Sequence, residues 1–286
     1  MKTIKVGGVP EHFNLPWHLC LEEGRFQNNG LDLSWKDFPE GTGAMCKALR
    51  EAEIDVSVIL TEGIIRDIHR GNPSLIVQEY IGSPLIWGIH VAANSRLHKL
   101  EDLRNQKIAI SRKGSGSHLM AYVNAKNLDW DISALEFEET GDLEGAVRAL
   151  SEKREGYFLW EHFTTKPLVD QDVFRRIGDC PTPWPCFVIA VRREFLQREP
   201  ASILVMLKTL NEVTSSFKEI PGIELALSHR YQQKKDDIEQ WLKLTRWSQK
   251  QLSVLEIGKV QEQLFELNLI SEIRENASFI TNEKFL

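Results

Sequence analysis

The chain has 286 residues, 42% of them hydrophobic and 27% charged, and a formal net charge of −6. This is the composition of an ordinary globular chain with enough length for two lobes rather than one core. The acidic balance excludes nucleic acid as the main partner, which asks for a basic face, and no apolar run nears the roughly 20 residues of a membrane span.

The opening MKTIKVGGVPEHF lacks the apolar stretch of a signal peptide. The expected location is therefore the cytoplasm for the chain as it stands, or the periplasm or cell surface if a leader precedes it. IKVGGV reads as a strand, and NLPWHLCLEEGRF as a helix capped by Asn14 and stopped at Gly24. LDLSWKDF alternates as a half-buried strand. GAMCKALREAE is a helix, IDVSVIL a strand, EGIIRDIHRG a helix and SLIVQEYI a strand. This alternation predicts a mostly parallel sheet with helices on its faces.

LIWGIHVAAN and CFVIAVRREFL are two long apolar strands that bracket a second α/β set like a pair of crossings. Within that set, LEDLRNQ, GSHLMAYVNAKN and LEGAVRALSEK read as helices, KIAIS and LEFEET as strands, and GYFLWEHF as strand into helix. FRRIGDC is a strand or a loop. From Pro200 onward the periodicity is helical only, through ASILVMLKTLNEVTSSFK, GIELALSHRYQ, DDIEQWLKLTRW and LSVLEIGKVQEQLFEL. The predicted domains are residues 1–90 plus 191–286 as one lobe and 91–190 as an inserted second lobe, with a ligand cleft between them. The four cysteines suit buried thiols. For Cys180 and Cys186, which flank PTPWP, a disulfide is the other reading, and no paired C-x-x-C points to zinc.

Ligands of open α/β sheets sit beyond the carboxyl ends of the strands. The loops there are polar and lead into helices: Pro10–Asn14, Glu40–Gly43, Thr61–Gly63, Gly82–Pro84, Ser115–His118 and Trp160–His162. ISRKGSGSHLMAYV matches neither the phosphate loop nor the dinucleotide loop, because Lys113 precedes the glycines and no third glycine follows. It predicts a helix capped by Ser115 or Ser117 whose first-turn N–H groups hold the polar end of a guest, against the plainer reading of a capped turn. Trp160 and Trp184 read as aromatic plates in loops of the inserted lobe, and Trp35, Trp87, Trp241 and Trp247 as packing. His69 reads as a cation at a helix C-terminus. No zinc-protease, nucleophile-elbow or kinase signature is present, so neither catalytic nor metal-ligating residues are assigned and no cofactor is expected.

The order of these motifs resembles the type II solute-binding proteins of the nitrate/sulfonate/taurine group of ABC transporters, which include binders of thiamine-pyrimidine precursors. NLPWHLCLEEGRFQNNGLDL resembles the group's opening, and EGTGAMCKALREAEIDVSV its glycine-rich second loop and following strand, with Ala52-Glu53 where a glycine is usual. KIAISRKGSGSH resembles its serine loop, and FLWEHFTTKPLV its later acidic helix start. The resemblance covers residues 4 to about 190 and matches the helical tail in kind only.

It implies an α/β, two-lobed, type II periplasmic-binding-protein-like fold with a helical C-terminal tail, closing on a small molecule about hinges near Ile89–Ala92 and Val188–Val191. The family's pocket loops carry over to His12, Asn14, Gly41 and Thr42, to Thr61, Glu62 and Ser83, and to Ser115, Ser117, His118 and Glu161. Gly116, Trp160 and Trp184 join them as ligand-binding candidates on their place in the loops. The expected function is capture of a small polar or anionic organic molecule by a monomer, with an ABC-transporter permease as partner. The alternative is a cytoplasmic enzyme or ligand sensor that reuses the fold for thiamine-precursor or menaquinone-pathway metabolism. The cysteine-rich run of the thiamine-pyrimidine synthase is absent.

Overall fold

The computed structural model describes residues 1–153 and 156–281. The chain divides into two units, the first comprising Met1–Pro84 and Trp184–Leu286, of which 282–286 lie outside the described residues, and the second Leu85–Pro183.

In the first unit, β1 (Lys2–Gly8) leads through the turn His12–Asn14 to α1 (Leu15–Glu22) and α2 (Arg25–Asn28). Gly24 separates the two helices with a φ of +65°, a conformation glycine adopts without strain. There follow β2 (Leu31–Asp37), α3 (Thr42–Arg50), β3 (Val56–Leu60), α4 (Thr61–His69) and β4 (Ser74–Ile81). Every residue of β3 is buried, as a strand covered on both faces requires, and its one polar side chain, Ser57, donates to Gly7 O at 3.3 Å.

The second unit opens with β5 (Ile86–Ala92) and continues with β6 (Ile108–Ile110), α5 (Gly116–Asn127), β7 (Phe137–Glu139) and α6 (Leu143–Lys153). It ends with β8 (Tyr157–Glu161), α7 (Lys166–Asp170) and β9 (Phe174–Pro181). Ala92, Ala109, Ala146, Leu150, Phe158 and Phe174 form one cluster of its core, with Trp160 packed against them.

Back in the first unit come β10 (Phe187–Arg192), α8 (Arg193–Arg198), α9 (Pro200–Thr214), α10 (Ile223–Tyr231), α11 (Lys235–Leu244) and α12 (Val254–Glu266). Among the described residues no helix is long and apolar enough to cross a membrane.

The sheets are mixed, with orders β2-β1-β3-β10-β4 and β7-β6-β8-β5-β9. In the first, β10 runs antiparallel between β3 and β4. In the second, β5 runs antiparallel between β8 and β9. Each unit thus has four co-directional strands and one reversed, and the reversed strand is the first that the chain lays down after changing units.

The expectations need correction here. The apolar stretches at 86–92 and 187–192 are not crossings: each lies whole within one sheet, and the chain changes units at 84–85 and 183–184 instead. The hinge positions expected inside those strands are therefore ladder residues, bonded on both sides. The tail of CFVIAVRREFL is α8 rather than strand, and Thr245–Trp247 leave the helix, Trp247 bridging to Ile81 at the sheet edge.

Asp55 ties the first sheet together. Its carboxylate accepts from Lys5 N at 3.1 Å and pairs with the Arg192 guanidinium at 3.1 Å, joining the strands on either side of β3. All four cysteines are buried and none is in a disulfide, which corrects the pairing of Cys180 with Cys186.

Candidate functional site

The first unit gathers polar groups in the segments that follow β1, β2 and β3. His12 and Asn14 are buried in the turn after β1. The Asn14 side chain does not cap α1; its Nδ2 donates to Val9 O at 2.8 Å and holds the turn shut. Burial drives the His12 pKa down to about 3, so the imidazole is neutral. Gly41 precedes α3 with a φ of +77°, and Thr42 opens the helix. Thr42 Cγ2 lies 2.2 Å from where a β-carbon on Gly63 would stand, so α3 and α4 meet at their first turns only because residue 63 has no side chain.

That contact places Thr42 beside Glu62, the most perturbed acid here. Glu62 is 1% exposed, and Trp184 Nε1 donates to its Oε2 at 2.8 Å. Desolvation lifts its pKa to about 7, against the opposing hydrogen bonds from its own backbone and Trp184. Trp184 thus serves the first unit, contrary to its expected place as a plate in the inserted lobe: it follows the second change of units and its indole is anchored on α4. Thr61 spends its hydroxyl on Pro185 O at 2.5 Å, and Ser83 Oγ accepts from Arg246 N at 3.1 Å. Both are fasteners of the scaffold.

Three buried atoms in these segments have no hydrogen-bond partner among the described residues: His12 Nε2 and Asn14 Oδ1 in the turn after β1, and Glu62 Oε1 in the first turn of α4. They follow β1 and β3, which are parallel neighbours in the sheet.

In the second unit, Gly114 (φ +82°) turns the chain into α5. Ser115 is the cap, accepting from His118 N at 3.3 Å. Ser117 Oγ lies 2.9 Å from Ser115 Oγ and accepts from Ser111 N at 3.0 Å, pinning the end of β6 to the helix. Gly114 N donates to His118 Nδ1 at 3.0 Å, which leaves the proton of the neutral ring on Nε2. The ring packs edge-on to Phe137 and Tyr122. Gly116 and Ser117 stand at the first two helical positions, whose N–H groups have no partner inside a helix.

Glu161 is buried, and its carboxylate accepts from Thr164 N at 2.6 Å, closing the turn before α7. Desolvation raises its pKa. Trp160 lies in β8 rather than in a loop and stacks on Phe158 with centroids 5.3 Å apart. His69 Nε2 meets Gln261 Oε1 at 2.8 Å and burial lowers its pKa, so it is a neutral link to α12 rather than a helix-end cation.

Sequence reasoning did not find Tyr231 and Trp241 as neighbours of His12. They lie on tail helices, where an aromatic at helical spacing reads as core.

The family model described as Ca3427-like PBP matches residues 87–180. No curated protein sequence matches the chain. The Candida albicans CA3427 gene product, which defines a new family with the generic periplasmic binding protein fold, superimposes with a TM-score of 0.89 at 24% identity, over 98% of this chain and 96% of its own. The alkanesulfonate-binding protein SsuA from Xanthomonas axonopodis pv. citri, bound to MOPS, does so at 0.83 and 15%, over 98% of each chain. PhnD1 from Prochlorococcus marinus, in complex with methylphosphonate, gives 0.62 and 12%, over 94% of this chain and 99% of its own. With two mixed sheets of the same internal order, flanked by helices and ending in a helical tail, the chain has the two-lobed α/β fold of the type II periplasmic binding proteins.

Proposed function

We propose that the chain reversibly binds a small polar organic molecule and acts as the solute-capturing component of an ABC-type importer. The observation that carries this reading is the set of unpartnered buried atoms His12 Nε2 and Asn14 Oδ1, in the turn after β1, and Glu62 Oε1, in the first turn of the helix after β3, at the strand ends where open α/β sheets take their ligands. Within the second unit, the first-turn N–H groups of α5 separately suit an anionic or carbonyl end. Structures of the same fold hold MOPS and methylphosphonate, which supports a compact organic solute of that kind.

The test is native mass spectrometry of the purified protein before and after mild denaturation. A stoichiometric small molecule released intact supports the binder. An empty protein that no sulfonate, carboxylate or pyrimidine stabilises in a thermal-shift screen counts against it.

A second reading, an enzyme or ligand sensor on the same fold, draws on Glu62 alone. A buried carboxyl whose pKa is lifted to about 7 exchanges its proton near neutrality, as a general acid or base must. Recovery of a chemically altered compound after incubation selects this reading.

A further inference from the structure

His12, Tyr231 and Trp241 meet in the first unit from three elements: the turn after β1, the last residue of α10 and the second turn of α11. The His12 ring stands 4.2 Å from Trp241 and 6.0 Å from Tyr231, centroid to centroid. Each brings one solvent-shielded polar atom with no hydrogen-bond partner among the described residues: His12 Nε2, the Tyr231 hydroxyl and Trp241 Nε1. Buried polar atoms are otherwise matched in native proteins, so three about one ring call for a guest. His12 and Trp241 are each 1% exposed, whereas Tyr231 is half-buried and ends its helix just before Gln232 turns the backbone at φ +51°.

The chemistry of the three narrows the guest. An indole N–H only donates, and so it needs an acceptor. Burial raises the Tyr231 pKa to about 12 and lowers that of His12 to about 3, so both rings are uncharged near neutral pH. The charges that act on Tyr231 are Arg230 against Asp37, Glu11 and Glu22, and Arg230 is paired with Glu22 at 2.7 Å. None of the three rings supplies a cation, so a sulfonate, phosphonate or carboxylate buried among them would carry an uncompensated charge. An ammonium offers no lone pair to the indole. An uncharged acceptor satisfies both conditions: a carbonyl, an ether oxygen or a ring nitrogen.

We propose that His12, Tyr231 and Trp241 form a subsite for an uncharged hydrogen-bond acceptor of a bound small molecule, entered by displacement of the Tyr231 ring. The inference deepens the binder reading by assigning one end of the ligand to the helical tail. Its test is ¹H–¹⁵N NMR of the tryptophan indoles in the full chain, with the Trp241 resonance identified by its loss in Trp241→Phe. The probes are acetamide and pyridine as neutral acceptors and sodium methanesulfonate as the anion.

The expected result is a saturable shift of the Trp241 indole with acetamide or pyridine and none with methanesulfonate. In Tyr231→Phe, with the other indole signals in place as evidence of an intact fold, the same probe binds about fivefold more weakly through the loss of one hydrogen bond. A Trp241 indole that ignores both neutral probes, or that follows methanesulfonate, overturns the subsite. The two readings fail separately: a chemically altered ligand in the mass-spectrometric experiment ends the binder and leaves the subsite standing, while an unmoved indole does the reverse.

Discussion

Replacing Glu62 by glutamine removes a group whose protonation is coupled to folding. In the folded chain its pKa is about 7, against an ordinary 4.5, because burial disfavours the carboxylate more than its hydrogen bonds favour it. The folded state therefore keeps a proton that the unfolded chain releases. This contribution to stability is fully present below pH 4.5 and is lost as the pH rises through about 7. The gap corresponds to about 3 kcal/mol. Glutamine preserves the shape and still accepts from Trp184 through its amide oxygen, but it does not titrate. Urea unfolding of both proteins at about pH 5 and about pH 8 isolates the effect as a difference of differences. Glu62→Gln should gain about 2.5 kcal/mol on wild type between the lower and the higher pH, since part of the gap is already lost at pH 5. A gap between the two proteins that is the same at both pH values, or that moves in favour of wild type as the pH rises, refutes the reasoning.

Gly63→Ala should destabilise the first unit by about 1–2 kcal/mol by driving a methyl into Thr42, and Thr42→Ser, which removes the clashing carbon, should restore most of the loss in thermal unfolding. Asp55→Ala leaves the largely buried Arg192 guanidinium without its inner carboxylate and strips Lys5 N of its acceptor. A loss of about 3 kcal/mol in denaturant unfolding is expected, and one below about 1 kcal/mol would show the clasp to be idle. Ser115→Ala should cost about 1 kcal/mol as a lost helix cap, and it should weaken ligand binding more than the conservative Ser115→Thr does; equal affinities would reduce the loop to a capped turn.

The elements of the first 190 residues were legible because their periodicities are clean: VSVIL, apolar but for Ser57, gives a strand buried on both faces, and LDLSWKD alternates. Pairing was not legible. Nothing in CFVIAVRREFL says that the strand inserts between β3 and β4, since periodicity reports burial and not the neighbour. The change of units was written in Ser83-Pro84-Leu85 and Thr182-Pro183-Trp184, rigid punctuation that the apolar strands beside them overshadowed.

At the candidate site, His12 and Glu62 could be named from their place after strands. The hydroxyls of Thr61, Ser83 and Ser117 could not be told from ligand groups, because a hydroxyl spent on the backbone looks the same in sequence as one offered to a guest. Tyr231 and Trp241 reach His12 only through the fold, from more than 200 residues away.

The two places where the chain changes units are stitched to each other. Leu85 N donates to Thr182 Oγ1 at 3.0 Å and Thr182 N to Leu85 O at 2.9 Å, while one step away Cys186 N donates to Ser83 O at 3.2 Å. The second unit therefore enters and leaves the first through neighbouring backbone positions, as a cassette spliced into a host at a single seam. Loop-closure entropy grows only slowly with the length enclosed, so a host closed across Ser83 and Cys186 is nearly indifferent to what the seam carries. Such a seam suits exchange: the cassette can diversify, or be replaced outright, while the sheet that surrounds β10 keeps its register.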